Sequence, residues 1–235
     1  MRTDVRYLIV NGDDFGLTDG VNRGILEACQ RGILRSASLM VLRPEAETAV
    51  TLASRVPQLG VGLHLELEDR SGTDAAAAAE AQLGLFTDLT GTLPTHFDSH
   101  HDRHRELDVL PGVLALAARH GLPVRGSSPV RRISDFYGRW GGESHPEHVG
   151  VERLVGLLES RVTEGFTELI CHPGYADGSL RSGYRLEREA ELEALCDPRV
   201  GAAVARLGIR LVDFRELAST VVRPSGTERE GPWPE

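Results

Sequence analysis

Short apolar runs alternate with helically spaced apolar positions along most of the chain. "YLIVN" (7–11) reads as a buried strand, and Thr18 or Asp19 can cap a helix through "GVNRGILEACQRG" that Gly32 closes. "SASLMVL" (36–42) is a second strand, followed by a helix that opens at Pro44. "GVGLHLEL" (60–67) is a third, and the alanine run 75–79 with "EAQLGLFTDL" forms a third helix. "THFDSH" (95–100) is a fourth strand, "VLPGVLALAARHG" a helix ending at Gly121, and "LPVRG" a fifth strand. Residues 127–150 read as a long loop with one helical turn, and "VERLVGLLESRV" as an amphipathic helix. "FTELICHPG" (166–174) is a strand, "RLEREAELEALC" a helix, and "IRLVDF" (209–214) the last strand before "RELAS".

This alternation predicts an α/β fold of parallel strands with helical crossovers, as a doubly wound sheet or a closed barrel. A (β/α) barrel-like fold, incomplete or distorted relative to the TIM type, is favoured. At 235 residues one domain over 1–222 is expected, and the polar, Pro- and Gly-containing tail 223–235 is expected to be disordered.

Composition narrows the function. The chain is 40% hydrophobic and 26% charged, with no window long and apolar enough to span a bilayer. The N-terminus has no apolar export core before its acidic pair, so a cytoplasmic enzyme is expected. A formal charge of −9 argues against a nucleic-acid partner. Cys29, Cys171 and Cys196 form no CxxC pair and read as buried thiols.

In either architecture ligands gather at the carboxyl ends of the strands. There the sequence places Asp13 and Asp14, then His64 and Glu66, then His96, Asp98, His100 and His101, and later His172. Adjacent like charges at 13 and 14 need a cation or a proton between them. His64 and Glu66 share one face of their strand, as do His96, Asp98 and His100. If a helix follows Ser99, His100 and His104 lie at i and i+4, a spacing that brings two imidazoles to one ion. A divalent cation held by one aspartate, by His64 and by His100 or His104 satisfies all of this. The neighbouring aspartate is then left as a base. Such an O and N donor set suits zinc, magnesium or manganese. Blander readings compete: the acidic pair as a capped turn, and His64 as a hydrogen-bonded core residue. His101 is expected to face solvent or its neighbours, His120 to complement a helix C-terminus, and His145 and His148 to lie in the loop without a role. His172, fixed by the proline that follows it, is a plausible acid.

The stretches "VNGDDFGLTDGVNRGI", "GVGLHLEL", "PTHFDSHHDRH", "LPVR", "CHPGY" and "REAELEAL", in that order and spanning about 8–213, resemble the YdjC-like carbohydrate deacetylases. That family includes chitooligosaccharide and hopanoid-associated deacetylases. The resemblance implies a barrel-like fold related to the NodB-type polysaccharide deacetylases, and hydrolysis of an N-acetyl group on an amino sugar with one divalent metal ion. Carried over by position, it implies Asp14, His64 and His100 as metal ligands, Asp13 as base and His172 as acid. His104 is where the patterns part: NodB-type enzymes use both histidines of HxxxH, YdjC-like ones the first. Asp98 and Arg125 stand as further metal or substrate contacts. Two departures mark this chain. The segment from residue 68 to 93 is shorter than the family's, and "SHHDRH" carries Asp102 where the family has histidine.

The implied reaction is attack of a metal-activated water on the acetamide, with Asp13 taking the proton and His172 protonating the amine. Arg125 could orient the base or bind a hydroxyl, and Tyr137 and Trp140 could stack on a sugar ring. The implied partner is a small N-acetylated sugar, and a homodimer is an open expectation for proteins of this kind. The alternatives are a metal-dependent phosphoesterase, disfavoured by few lysines and arginines in the motif regions, and a non-catalytic metal- or sugar-binding homologue. The latter would not need Asp13 and His172.

Overall fold

The computed structural model describes residues 5–127 and 129–221. In chain order the main elements are β1 (Arg6–Phe15), α1 (Asp19–Arg31), β2 (Ser36–Leu39), α2 (Ala46–Ala53), β3 (Gly60–Leu65), α3 (Gly72–Thr90), β4 (Phe97–Ser99) and α4 (Leu110–His120). Then follow β5 (Arg131–Ile133), β6 (Arg139–Trp140), β7 (Glu143–Ser144), α5 (Val151–Arg161), β8 (Gly165–Cys171), α6 (Leu186–Cys196), α7 (Pro198–Arg206), β9 (Ile209–Val212) and α8 (Phe214–Val221).

Leu8, Ile9 and Val10 of β1 have no solvent exposure. A strand buried on both faces needs such an unbroken apolar run, and each of these side chains contributes about 1.5–3 kcal/mol by leaving water. β1 pairs with β8 over residues 6–12, with β9 over 6–9 and with β2 over 11–15. β3 adds to β2, β4 to β3, and β5 to the far side of β8, every pairing parallel. The seven-stranded sheet curls and leaves its outer edges unjoined among the described residues, which makes it an incomplete (β/α) barrel.

Alternation divides β1 between two layers. Leu8 and Val10 join the main core under the helices, whereas Ile9 packs with Val130, Phe214 and Leu217 in a separate inner cluster. Asn11 and Asp13 share the face of Ile9, so the inner layer turns polar towards the carboxyl ends.

Several expectations change. β1 does not end before the acidic pair but carries Asp13 and Asp14 within it. "LPVRG" is no full strand: Val124 makes one parallel bridge to Phe97. The loop 127–150 instead supplies β5 and the β6–β7 hairpin. The stretch after Ser99 is a 3-10 turn over His100–Arg105, interrupted at His101 and Asp102 by left-handed backbone at φ 54° and 55°. It therefore lacks the α-helical spacing that would align His100 with His104. Helix α7 was not anticipated, although Asp197 caps it and Pro198 occupies its first position. Thr18, rather than Asp19, caps α1. The three cysteines are unpaired, Cys29 and Cys171 buried and Cys196 half-buried. No described helix is long and apolar enough to cross a membrane, and the tail 223–235 lies outside the described residues.

Candidate functional site

A cleft of about 340 Å³ opens at the carboxyl ends of the strands, lined by Asp13, Asp14, His64, His100, Arg125, Tyr137, His172, Tyr184 and Arg188 among others. Its base is a buried polar column. His96 stacks on Phe214 with ring centroids 3.8 Å apart and hydrogen-bonds Ser38 Oγ at 3.1 Å. A Cβ on Gly62 would lie 2.2 Å from that imidazole, so β3 can cross it only as glycine. Ser38 donates to Asp98 Oδ2 at 2.6 Å, and Asp98 Oδ1 accepts from His64 Nδ1 at 2.8 Å.

Arg125, 1% exposed, ties the next level together. Its guanidinium forks onto both oxygens of Asp13 at 2.7 and 2.8 Å, and reaches Glu168 Oε1 at 2.7 Å and Asp98 Oδ2 at 2.7 Å. Asn11 Nδ2 donates to Asp13 Oδ1 at 2.8 Å. Burial opposes ionisation of Asp98, but the charges of Arg125 and His64 outweigh it and hold that carboxyl well below the usual range. For Glu168 burial wins, and its carboxyl is raised.

The two aspartates part company through the backbone. Asp14 sits at φ 69°, a left-handed conformation uncommon outside glycine, where the β1–β2 register shifts between Gly12 and Phe15. This break in alternation lets consecutive residues enter one cleft in different directions. Asp13 turns to Arg125, while Asp14 Oδ2 accepts from Arg188 on α6. Each carboxylate therefore has its own guanidinium, a cation the sequence reading did not supply. Burial pushes Asp14 up, yet Arg188 and then His64 and His172 hold it well below the ordinary value.

Asp14 Oδ1 remains buried without a hydrogen-bond partner, and His64 Nε2 stands 3.5 Å from it. Two ligands about 2.0–2.2 Å from one tetrahedral ion lie at about this separation. The His100 ring centroid is 6.0 Å from that of His64, and its Nδ1 is bonded to Glu68. Asp14 Oδ1 and His64 Nε2 suit a divalent cation by donor type and separation. Asp13, His64 and Asp98 offer three mutually close donor atoms, as do Glu68, His100 and His101.

His104 is turned away. Its Nδ1 pairs with Ser99 Oγ at 2.8 Å and its Nε2 with Arg125 O at 3.0 Å, so both ring nitrogens serve the scaffold. This corrects the paired-histidine expectation. Asp98, with no exposure, meets His64, Ser38 and Arg125 rather than the cleft. His96 likewise belongs to the column beneath, and Glu66 pairs with Arg43. Trp140 stacks on His145, so of the two expected stacking residues it is Tyr137 that lines the cleft, beside Tyr184.

His172 follows β8, its Nε2 4.0 Å from Asp13 Oδ2 and its buried Nδ1 without a partner. Burial lowers its pKa, with Asp13 and Asp14 opposing. Helix α1 fixes the turn from outside: a Cβ on Gly24 would lie 2.5 Å from Gly174 Cα. From α6, Glu191 accepts the His172 backbone N–H and the Tyr184 hydroxyl, and Arg188 donates to His172 O at 3.3 Å. Burial raises Glu191 to about 8. Tyr137 stacks on Tyr184 at 4.9 Å and both rings stand edge-on to His172.

Sequence reasoning missed Arg188, Glu191, Glu168, Ser38 and Asn11 as site residues. Glu168 left a signal, a lone acid in an apolar strand. Arg188 and Glu191 lie in "REAELEAL", a stretch that the resemblance singled out without giving any of its residues a role, and Glu187, Arg188 and Glu191 are buried.

The model of the YdjC-like protein family matches residues 7–78 and 68–206, two stretches that meet in the turn after β3 and the start of α3. A Geobacillus stearothermophilus protein named carbohydrate deacetylase is 38% identical over 253 residues, covering 90% of this chain and 98% of its own length. An alignment longer than this chain means that the relative carries residues absent here. A chitooligosaccharide deacetylase of Enterobacter sp. (strain 638) is 32% identical, covering 90% and 99%. A crystal structure from Enterococcus faecalis V583 superposes with a TM-score of 0.80 at 26% identity, over 91% of this chain and 99% of that one. A Clostridium thermocellum family 4 acetyl xylan esterase, solved with cobalt, gives 0.57 at 14% identity over 93% of both chains, a likeness of fold alone. With its motifs in order and family and relatives matched along nearly its whole length, the chain belongs to the YdjC-like family.

Proposed function

We propose that this chain removes an N-acetyl group from an amino sugar or a small acetylated oligosaccharide, with one divalent ion held by Asp14, His64 and His100. The chain is a carbohydrate deacetylase, a hydrolase of linear amide bonds, as its relatives' names support. The observation that carries the finer reading is the orphaned Asp14 Oδ1, facing His64 Nε2 in the cleft that Asp13 and His172 also line. When bound, zinc, magnesium or manganese supplies a Lewis acid that lowers the pKa of water and polarises the acetamide carbonyl.

The chain's own residues do the rest. Asp98 accepts a hydrogen bond from the Nδ1–H of His64 and so leaves Nε2 as the ligand atom. Arg125 and Asn11 anchor Asp13, and Oδ2, which accepts only from Arg125, keeps a lone pair for the proton of the attacking water. His172, its Nε2 4.0 Å from Asp13 Oδ2, passes a proton to the departing amine. Burial lowers its pKa, with Asp13 and Asp14 opposing, which makes its protonated form a readier donor. Tyr137, 42% exposed and braced by Tyr184, offers a ring face for the sugar. A phosphoesterase would need free cations in the cleft, and Arg125 and Arg188 are committed to carboxylates.

Acetate release from diacetylchitobiose and a panel of N-acetylated sugars tests this, using stripped protein reloaded with zinc, magnesium or manganese. Metal-dependent release that Asp13→Asn abolishes is expected. Release that persists in the stripped protein, or in Asp14→Asn, overturns the metal assignment.

A further inference from the structure

His100 has two sets of neighbours. On one side stands His64 of the inner site proposed above, its ring centroid 6.0 Å away. In front of it, at the rim, Glu68 Oε1 meets His100 Nδ1 and lies 3.8 Å from His101 Nδ1. The two rim imidazoles lie with ring centroids 3.8 Å apart and planes tilted by 32°. One donor atom from each of Glu68, His100 and His101 falls within 4.8 Å of the others. The left-handed backbone at His101 and Asp102 folds the second imidazole back beside the first. Glu68 comes from the short turn between β3 and α3, where the two family matches meet.

We propose that Glu68, His100 and His101 form a second, outer site for a zinc-class divalent ion, and that filling it withdraws His100 from the inner site. The outer part of this inference stands on the rim geometry, and the withdrawal rests on the inner assignment. One carboxylate oxygen and two imidazole nitrogens are a three-protein-ligand set, completed by water, that zinc accepts and magnesium disfavours. The rim is open to solvent, with the His101 side chain 71% exposed and that of Glu68 39%, so an ion can enter without rearranging the core.

The exclusion follows from the ring itself. A neutral imidazole has one N–H and one lone pair. While Glu68 accepts from Nδ1–H, the lone pair lies on Nε2 and is available to the inner site. An ion at the rim takes the lone pair of Nδ1, which places the proton on Nε2 and removes that nitrogen as an inner ligand. Glu68 is thus either the residue that orients His100 or a ligand of the ion that displaces it.

Calorimetric titration of the metal-stripped full chain with zinc chloride tests this. The expected result is two events in the wild type, a tight and a weaker one. His101→Asn, which tolerates the left-handed backbone, should lose the weaker event and keep the tight one. Asp14→Asn should do the reverse. Glu68→Gln, a second exposed substitution, should also lose the weaker event. Acetate release by the wild type should fall as zinc exceeds one equivalent, and that fall should be absent in His101→Asn. A single event in the wild type, or a weaker event that survives His101→Asn, overturns the outer site. Two events that both survive Asp14→Asn overturn the inner assignment and leave the outer one standing.

Discussion

Asp98, without solvent exposure, accepts the Nδ1–H of His64 at 2.8 Å. Because Asp98 is held ionised, with Arg125 the largest favourable charge, it can only accept, so Nδ1 keeps its proton and Nε2 is the nitrogen left to ligate an ion. Asp98→Asn presents an amide that can donate to His64 as well as accept, and it removes the charge that favours the ligating form. The expected outcome is a 10- to 100-fold loss of metal affinity, of the size typical for such supporting partners. Competition with a chromogenic chelator measures it, with circular dichroism confirming the fold.

Arg125 pairs with three buried carboxylates, Asp13, Asp98 and Glu168. Removing a partner from a buried ion network leaves uncompensated charge and costs about 3–5 kcal/mol. Arg125→Met should therefore lower the thermal midpoint by roughly 10 °C for a domain of this size. Arg125→Lys keeps the charge but cannot fork onto Asp13, so scanning calorimetry should place it between the two.

The barrel was legible because buried parallel strands declare themselves as apolar runs, and because polar residues ending such runs mark the cleft. Asp13, Asp14, His64 and His172 were found that way, and all four line one cavity. The left-handed turn at Asp14 was not legible, since no composition rule predicts φ 69° at an aspartate. Nor was the fate of His104, whose spacing from His100 suited a helix that the backbone at His101 and Asp102 does not form. Arg188 and Glu191 were hidden for a different reason. Their helix alternates charges as a solvated face would, and only the tertiary fold shows that the charged face is the buried one.

Asp13 carries the chemistry and also part of the buried network. Asp13→Asn retains one acceptor oxygen and the side-chain volume but cannot take a proton, and its amide cannot accept both bonds of the Arg125 fork, so a lower thermal midpoint accompanies the kinetic change. Turnover should fall by about 10²- to 10⁴-fold, the usual worth of a positioned base. Zinc content and KM should change little. A parallel loss of bound metal would instead assign Asp13 as a ligand, which steady-state kinetics with elemental analysis distinguishes.

Glu191 makes stability depend on pH. Burial raises its pKa to about 8, far above the ordinary carboxyl value of 4.5. Between those two values the folded chain holds a proton that the unfolded chain has released. By linkage the folded state is then favoured less and less as pH rises through this window. The contribution is fully present below about 4.5 and lost once pH passes about 8. Glu191→Gln carries no titrating proton, while its amide can still accept from the His172 N–H and meet the Tyr184 hydroxyl. The expected outcome is a thermal midpoint that falls from pH 5 to pH 8.5 in the wild type and falls less in Glu191→Gln. At pH 8.5 the variant gains about 2–4 °C for each kcal/mol relieved. Equal slopes in the two proteins would place the proton elsewhere in the buried network, with Glu168, also raised by burial, as the next residue to substitute.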